Sequence, residues 1–442
     1  MEKYVFIETY GCSANQNNSE IISGILRQSG YELTTNEKIA EILILNTCIV
    51  KGKTQSKIKR RIQDLSKEFP DKLMIITGCM PQTDKNSILK INPKALLLGI
   101  HHIKDISRLI SDYRSNQVSN PAKFDKQKKE FYLSNLNEEK LCSPKISSNK
   151  LVSIIQISEG CLGNCNYCKT RLAKGPLFSY DIEHIIKSVE SDLQNGAKEV
   201  WITSQDNASF GLDRNKNELP ELLEKILNLK HNFKLRLGMM NPNNLYPILD
   251  KLILIYHHPK MYKFLHIPIQ SASNRVLKDM NRPYKIEIAN EIISKFKKEF
   301  PNITIATDII TGYPTEKQED HKLNLEFIEK YSPDVLNLSK FSSHSGTKSA
   351  ELKVLDVKII NKRASELMEL HRKTAQNNKQ KFLNQELKVF VNNKTKIPFV
   401  YEARDDNYKI VLIHSKDKSI LGKNINAKIN QAGVHHLVGE II

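Results

Sequence analysis

Three cysteines close together near the middle of the chain are the residues best suited to redox chemistry. Cys161, Cys165 and Cys168, here called the central triplet, lie in the segment EGCLGNCNYCKTR directly after a predicted strand. Thiolates are the ligands of iron–sulfur clusters, and a closed [4Fe-4S] site uses four of them. Three ligands leave one iron open to chelation, and in radical chemistry S-adenosylmethionine binds there through its amino and carboxylate groups. A zinc knuckle with a distant fourth ligand, or coincidence, is the alternative.

A second set of three cysteines is spread along the N-terminal part of the chain. Cys12, Cys48 and Cys79, here called the N-terminal triplet, each follow a predicted strand, in YGCSANQ, NTCIV and TGCMPQ. Successive strands of a parallel sheet end side by side, so we expect the three thiols to meet at one edge and hold a second cluster with an open iron. The alternative is buried structural cysteine. Cys142 shares no such pattern, and we interpret it as a bystander.

The elements that position the N-terminal triplet alternate between strands and helices over residues 1–115. Strands are predicted at 4–11, 41–47 and 73–78, and helices at 18–29 and 51–68. This alternation predicts an α/β fold with a doubly wound parallel sheet. Residues 116–150 are rich in Lys, Asn, Ser and Glu without a clear period, and we predict a linker there.

The alternation resumes over residues 151–355, which contain the central triplet. Strands are predicted at 151–158, 199–204, 233–239, 264–269, 303–310 and 335–341, with helices such as 182–194 and 286–299 between them. Six βα units predict a partial (βα)6 barrel, smaller than the eight-unit type. A polar connecting helix at 356–380 then leads to residues 381–442, whose short strands predict a small all-β module.

The charge and composition of the chain bear on its partners and its location. It carries 67 Lys and Arg against 49 Asp and Glu, a formal charge of +18, which favours a polyanion such as nucleic acid. A lysine-rich proteome is the alternative explanation. The odd count of seven cysteines argues against a disulfide framework. With no long apolar stretch and no secretory signal, we expect a cytoplasmic protein that does not enter a membrane.

Together these motifs resemble the radical S-adenosylmethionine methylthiotransferase family over nearly the whole chain. That family combines an N-terminal auxiliary-cluster domain, a radical S-adenosylmethionine barrel and a C-terminal TRAM domain. The segments most similar to its archaeal and eukaryotic branch are CLGNCNYCKTRLAKG, WITSQD, LRLGMMNP, FLHIPIQSASNRVLKDMNRPY and TIATDIITGYP. The resemblance implies that residues 1–115, 151–355 and 381–442 correspond to the three domains.

The resemblance also implies a reaction, because that branch adds a methylthio group to C2 of N6-threonylcarbamoyladenosine next to the anticodon of tRNA. C2 is an unactivated aromatic carbon, so a radical made from S-adenosylmethionine at the central triplet would start the reaction. A cluster on the N-terminal triplet would carry the sulfur, which a second S-adenosylmethionine methylates. The alternatives are the same chemistry on isopentenyl-adenosine in tRNA or on a ribosomal protein aspartate, and a non-catalytic protein that binds zinc and RNA.

Polar residues at the strand ends of the barrel are further candidates for S-adenosylmethionine binding. The resemblance places their segments around this cofactor; they are Gln205, Asp206, Arg236, Gln270 and Asp308. Arg236 and Asp308 are charged residues in otherwise apolar strands, so they would point into the barrel or pair there. A structural salt bridge is the alternative.

Three more residues of the barrel are of interest because of their positions. Ser271 follows the same strand as Gln270 and is a similar candidate. Tyr167, inside the central triplet, would pack near the adenine or anchor the loop. His266 lies on an apolar strand, where we expect a core histidine with its hydrogen bonds satisfied.

The sequence departs from the family pattern at a few positions. Thr315 stands where a glycine is expected, His344-Ser345 where Arg-Pro is expected, and Lys174 where an arginine is expected. These changes bear on loop geometry and on the grip on substrate, and not on cluster chemistry. Eukaryotic members carry a C-terminal membrane tail that is missing after Ile442, which favours an archaeal-type form. We expect a monomer that depends on an electron donor and a sulfur source.

Overall fold

The computed structural model describes residues 3–50, 52–115 and 130–442. The first part of the predicted linker, residues 116–129, therefore lies outside the described residues. Residues 130–150 run mostly as turns and irregular chain along the surface of the two α/β units.

The N-terminal unit is a five-stranded sheet in which every strand pair is parallel, as predicted. Its strands, in the spatial order β2-β1-β3-β4-β5, are β1 (Lys3–Thr9), β2 (Tyr31–Thr34), β3 (Ile42–Thr47), β4 (Leu73–Gly78) and β5 (Leu96–Leu97). Its helices are α1 (Ser13–Gln28), α2 (Gly52–Glu68), α3 (Met80–Ile91) and α4 (Ile106–Ser115). Side chains alternate along the strands, so α1 and α4 cover one face of the sheet while α2 and α3 cover the other.

Helix α1 begins at Ser13, earlier than the predicted start at residue 18. The sequence of its first turns, SANQNN, has the polar composition of a turn. In the structure these turns are helical, because the amide of Asn15 bonds to the backbone of neighbouring loops instead of competing with its own helix.

The central unit is the predicted partial barrel of six parallel strands. The strands are β6 (Val152–Gln156), β9 (Glu199–Thr203), β10 (Lys234–Leu237), β11 (Phe264–His266), β12 (Thr304–Thr311) and β13 (Val335–Lys340). They form two three-stranded halves, which are joined where Leu235 bonds to the chain at Lys260 and Tyr262. A short hairpin, β7 (Ser158–Glu159) and β8 (Phe178–Ser179), flanks the central triplet.

Helices surround the barrel and bury one continuous apolar core against it. They are α5 (Lys169–Lys174), α6 (Ile182–Gln194), α7 (Leu219–Leu227), α8 (Pro242–Leu245), α9 (Leu249–Tyr256), α10 (Asn274–Asp279), α11 (Ile286–Glu299) and α12 (Gln318–Tyr331). The connecting helix α13 (Val357–Gln380) packs on α12. Within the described part of the chain, no helix is both long and apolar enough to span a membrane.

The C-terminal unit is a closed five-stranded barrel, which agrees with the predicted all-β module. Its strands are β14 (Glu386–Lys394), β15 (Val400–Arg404), β16 (Ile410–His414), β17 (Asn424–Ala432) and β18 (Leu437–Ile441). It lies against the beginnings of the central strands. Lys409 donates to Thr304 Oγ1 at 3.0 Å, and Asn392 donates to Glu199 Oε1 at 3.1 Å. The loop with the central triplet therefore lies at the opposite, carboxyl end of the central barrel.

Candidate active site

The N-terminal triplet lies at the carboxyl edge of three adjacent strands. Cys12 follows β1 and precedes α1, Cys48 follows β3, and Cys79 follows β4 and precedes α3. Because β1, β3 and β4 are neighbours in the sheet, the structure brings the three turns together. The thiols interact electrostatically: Cys79 with both of the others, and Cys48 with Cys12.

Two glycines allow these turns to approach one another so closely. Gly11 has φ +104°, and a Cβ there would lie 2.9 Å from the sulfur of Cys48. Gly78 has φ +87°, and a Cβ there would lie 2.3 Å from the carbonyl oxygen of Thr47. Both the left-handed backbone and the close contact require a residue without a side chain.

Two buried asparagines, which the sequence analysis did not identify, tie the turns of the N-terminal triplet together. Asn15 Nδ2 donates to the carbonyls of Tyr10 and Thr47, at 2.8 and 2.9 Å. Asn46 Nδ2 donates to the carbonyl of Asn15 at 2.7 Å and to Ser19 Oγ at 2.8 Å. Both side chains are fully buried, so they act as fixed braces between β1, β3 and α1. The only sequence signal is an asparagine three residues after Cys12.

The central triplet lies on a loop between β7 and α5, where its sulfurs meet hydrogen-bond donors. The backbone N–H of Gly163 donates to the sulfur of Cys161 at 3.3 Å. The guanidinium of Arg282 donates to the sulfur of Cys165 at 3.6 Å. Donors of this kind stabilise negative charge on cluster sulfurs.

The loop that carries the central triplet is held from both sides. Asn166 Nδ2 donates to the carbonyl of Asp279 at 2.8 Å, and Asn281 Nδ2 donates to the carbonyl of Asn164 at 2.7 Å. Arg171, which lies in α5, donates to the carbonyl of Cys161 at the start of the loop and to that of Gly175 just after the helix. The loop is therefore preorganised by α5 and by the turn after α10.

Helix α5 joins the two triplets. It starts directly after Cys168, and its Ala173 packs in the same apolar core as Cys48 and Cys79. The next residue, Lys174, is fully buried and donates to Glu159. The two triplets thus lie on either side of one short helix.

Asp206, a candidate for cofactor binding, is buried and bonded to the protein. Its carboxylate accepts from the backbone and side chain of Asn241 at 2.9 and 2.8 Å, and from Asn244 Nδ2 at 2.7 Å. Burial raises the pKa of this carboxyl, and these donors act in the opposite direction. Asn241 in turn accepts from Arg282, so Asp206 helps to position the donor to Cys165. Next to it, Gln205 Oε1 is buried with no partner among the described residues, and so is available to a ligand.

The other cofactor candidates lie deeper in the barrel. Arg236 does not pair with Asp308; its guanidinium lies 4.8 Å from the ring centroid of Phe264 and 5.6 Å from that of Tyr408. Asp308 accepts instead from Nε2 of His266 at 2.6 Å, so this histidine is satisfied, as expected. Gln270 has a left-handed backbone with φ 64°, and its N–H donates to the carbonyl of Asp308.

The remaining candidates are part of the packing around the loop. Tyr167 packs on the apolar cluster of Val276, Met280, Tyr313 and Phe341, which favours its role as a loop anchor. Ser271 is fully buried and its Oγ accepts from the backbone N–H of Ser273.

The positions that depart from the family pattern also have defined contacts. Thr315 offers its carbonyl to Arg275 at 2.6 Å. The turn that begins at His344 is closed by Thr347, whose Oγ1 donates to the His344 carbonyl at 2.7 Å. A turn of ordinary hydrogen bonding therefore stands where Arg-Pro is expected.

Both triplets have the donor chemistry of an iron–sulfur site. Burial raises the pKa of Cys79 and Cys161 to about 12, so binding of a metal would have to displace the thiol protons. Within residues 3–50, 52–115 and 130–442, no group of three His, Cys, Asp or Glu is arranged to share a single metal ion. Three thiols on one loop, or on three adjoining turns, are the donor set of an iron–sulfur cluster, so the residue types present fit such a group.

Comparison with known proteins agrees with this geometry. Residues 4–99 match the family described as "Uncharacterized protein family UPF0004", and residues 155–328 match the Radical SAM superfamily. Two solved radical S-adenosylmethionine enzymes share the fold. The methyltransferase TsrM from Kitasatospora setae has a TM-score of 0.56 at 12% identity, covering 79% of this chain and 77% of that one. OxsB has a TM-score of 0.54 at 14% identity, covering 84% and 56%.

Relatives of known name cover nearly the whole chain. A probable threonylcarbamoyladenosine tRNA methylthiotransferase of Pyrococcus horikoshii is 34% identical over 99% of both chains. The threonylcarbamoyladenosine tRNA methylthiotransferases of Xenopus laevis and Homo sapiens are 33% and 32% identical over 99% of this chain and 76% and 73% of theirs. The chain is an enzyme that uses S-adenosylmethionine and an iron–sulfur cluster, and it belongs to the radical S-adenosylmethionine methylthiotransferase family, in the branch of the archaeal and eukaryotic threonylcarbamoyladenosine tRNA methylthiotransferases.

Proposed function

We propose that this enzyme transfers a methylthio group to C2 of N6-threonylcarbamoyladenosine next to the anticodon of tRNA, with two S-adenosylmethionine molecules and two [4Fe-4S] clusters. The observation that carries the proposal is the meeting of two cysteine triplets across α5, since each triplet offers three thiols. When bound, a cluster on the central triplet supplies radical chemistry from S-adenosylmethionine, and one on the N-terminal triplet supplies sulfur. The chain itself holds these groups at a fixed separation on the two sides of α5.

The proposal assigns a task to each part of the chain. Residues 1–115 hold the N-terminal triplet, and residues 151–355 form the radical S-adenosylmethionine barrel. Residues 116–150 link these two domains. Residues 356–380 connect, and residues 381–442 are a TRAM-like module that binds RNA. Ten Lys and Arg against six Asp and Glu in this last part support a role with phosphates. The cytoplasmic location, the monomeric state, the electron donor and the sulfur source stay predictions.

A basic face of α2 supports an RNA substrate close to the cysteines. Lys53, Lys57 and Arg60 are exposed and spaced four and three residues apart, so they share one face of the helix. The ammonium of Lys57 lies 5.8 Å from the ring centroid of Tyr10, two residues before Cys12. This face lies beside the N-terminal triplet and suits the phosphates of an anticodon arm.

Replacing one cysteine of the N-terminal triplet tests the division of labour. We expect Cys12→Ala to abolish methylthiolation of tRNA while 5′-deoxyadenosine is still formed from S-adenosylmethionine, because the central triplet is intact. Cys142→Ala is the matched control, since Cys142 is exposed and outside both triplets. Normal product formation by Cys12→Ala would refute the sulfur-carrying role of the N-terminal triplet.

Mass spectrometry of tRNA nucleosides from a deletion strain distinguishes the substrates. Loss of the methylthio form of threonylcarbamoyladenosine alone supports the proposal. Loss of the methylthio form of isopentenyl-adenosine, or of a methylthio-aspartate in a ribosomal protein, would assign the enzyme to another substrate. Metal analysis of anaerobic protein covers the non-catalytic alternative, which requires zinc in place of iron.

A further inference from the structure

Three charged side chains are buried between the two triplets. Lys140 and Lys174 each donate to the carboxylate of Glu159, one to each oxygen. Lys140 and Glu159 are 3% exposed and Lys174 is 1% exposed. Two ammonium groups share one carboxylate, so a net positive charge is buried. Such a charge is strongly unfavourable without compensation, and burial lowers the pKa of Lys140 accordingly. An anion beside the trio would offset the same cost.

The surroundings of Lys174 show where that anion would lie. Its neighbour in sequence, Ala173, packs in the same apolar core as Cys48 and Cys79. The ammonium of Lys174 interacts electrostatically with Cys79 and Cys12 in addition to its carboxylate partner, and Cys48 also lies within its field. Lys140 and Glu159 also interact with Cys79, but Lys174 interacts with all three thiols, so it is the member of the buried trio best placed to act on the N-terminal triplet.

We propose that Lys174 is a positioning residue that supplies the counter-charge for the iron–sulfur group on the N-terminal triplet. The inference rests on the proposed function, because it requires a cluster there. A cluster with three thiolate ligands is a net anion, and its reduction adds further negative charge. A fixed and buried ammonium beside the triplet favours both the bound cluster and its reduced form. Glu159 and Lys140 hold this ammonium in place without cancelling it.

The test uses the full chain with the central cysteines changed to alanine, so that only the N-terminal triplet can bind iron. Lys174→Met removes the charge and leaves Lys140 and Glu159 as a neutral pair, whereas Lys174→Arg keeps the charge. Iron content and the midpoint potential are measured during titration with dithionite, followed by electron paramagnetic resonance. We expect Lys174→Met to lower the equilibrium constant for reduction at least tenfold, about 59 mV for one electron. Lys174→Arg should keep the midpoint potential close to that of the parent protein, in which only the central cysteines are changed.

The control is Lys409→Met, which removes a buried lysine of the C-terminal barrel that pairs with Asp334, and which should not shift the potential. Loss of iron from Lys174→Met but not from Lys174→Arg also supports the counter-charge. An unchanged potential in Lys174→Met at equal iron content, or equal loss of iron from both variants, would overturn it. If the parent itself binds no iron, the two-cluster function fails and this inference falls with it.

Discussion

Arg282 donates a hydrogen bond from its guanidinium to the sulfur of Cys165, with 3.6 Å between the two atoms. The same guanidinium donates to Asn241 Oδ1 at 2.7 Å and to the Pro268 carbonyl at 3.1 Å. Because Asn241 is itself bound to the buried Asp206, the donor to the sulfur cannot easily move. A sulfur of the central triplet therefore faces a fixed positive charge.

Arg282→Met tests the importance of this charge for the central cluster. We expect the rate of 5′-deoxyadenosine formation to fall about 10–100-fold with iron content preserved, because the reduced cluster loses a charged donor to its sulfur. The measurement is single-turnover cleavage of S-adenosylmethionine with dithionite. Arg275→Met, which removes a partly exposed arginine bound to Asp320, should keep the normal rate. An unchanged rate in Arg282→Met would show that the contact has no electronic effect.

Gly78→Ala tests the close approach of the turns in the N-terminal triplet. The added Cβ would lie 2.3 Å from the carbonyl oxygen of Thr47, so Cys79 must shift away from Cys48 and iron should be lost from this triplet. Gly30→Ala is the matched control, since Gly30 also has a left-handed backbone but nothing within 4 Å of the new Cβ. It should cost only about 1–2 kcal/mol of stability and keep all iron. Iron analysis measures the loss of iron in each variant, and urea unfolding measures the loss of stability. Equal iron content in both variants would show that the close approach at Gly78 is not needed for iron binding.

His371→Leu tests a buried histidine in α13, far from the cysteines. Burial lowers the pKa of His371 to about 4, whereas an unfolded chain has a pKa near 6.5. Between these values the unfolded state binds more protons, so stability falls as the pH falls. His371 should therefore lower the free energy of unfolding by about 2 kcal/mol at pH 5 relative to pH 7.

Urea unfolding at pH 5, 7 and 8 measures this contribution of His371. Between pH 7 and 5 the natural protein should lose about 2 kcal/mol more than His371→Leu does. Between pH 8 and 7, above both pKa values, the two proteins should change in parallel. The same loss in both proteins between pH 7 and 5 would mean that His371 is protonated in the folded state.

Changing Lys53, Lys57 and Arg60 to glutamine tests the basic face of α2. Each contact with a phosphate contributes about 0.7–0.9 to the slope of log affinity against log salt. We expect weaker tRNA binding and a slope smaller by about 2, measured by titration from low to physiological salt. The charge-matched control changes three other lysines to glutamine: Lys187 on α6, Lys216 in the segment between β9 and α7, and Lys225 on α7. Equal effects of the two triple variants would point to net charge alone.

The elements of this fold and the meeting of three strand ends could be predicted from the sequence, because both follow from local periodicity. Strands alternate with helices, and each of Cys12, Cys48 and Cys79 directly follows a strand. The topology of a parallel sheet then places these strand ends on one edge. Strand β2, at one side of the sheet, and the short strand β5 were not predicted. They do not change where the strand ends that carry the cysteines lie.

The partners of the polar side chains could not be predicted, because they come from distant parts of the chain. Arg236 and Asp308 face the barrel interior as expected, but Arg236 stacks on Tyr408 from the C-terminal barrel. Lys174 was noted only as a departure from a family pattern. Its bond to Glu159 and its burial depend on how α5 packs against the N-terminal unit, which no local pattern encodes.

The C-terminal barrel contacts the beginnings of the central strands, whereas the cysteines lie past their ends. Strand β12, with eight residues, is about 26 Å long, and the C-terminal barrel contacts its first residue, Thr304, at the end opposite to the cysteine loop. The bonds of Lys409 and Asn392 hold the C-terminal barrel at this end. If the C-terminal barrel binds the substrate as proposed, a molecule that contacts both this barrel and the cysteines has to bridge the length of the central strands, which a polymer can do and a free nucleoside cannot.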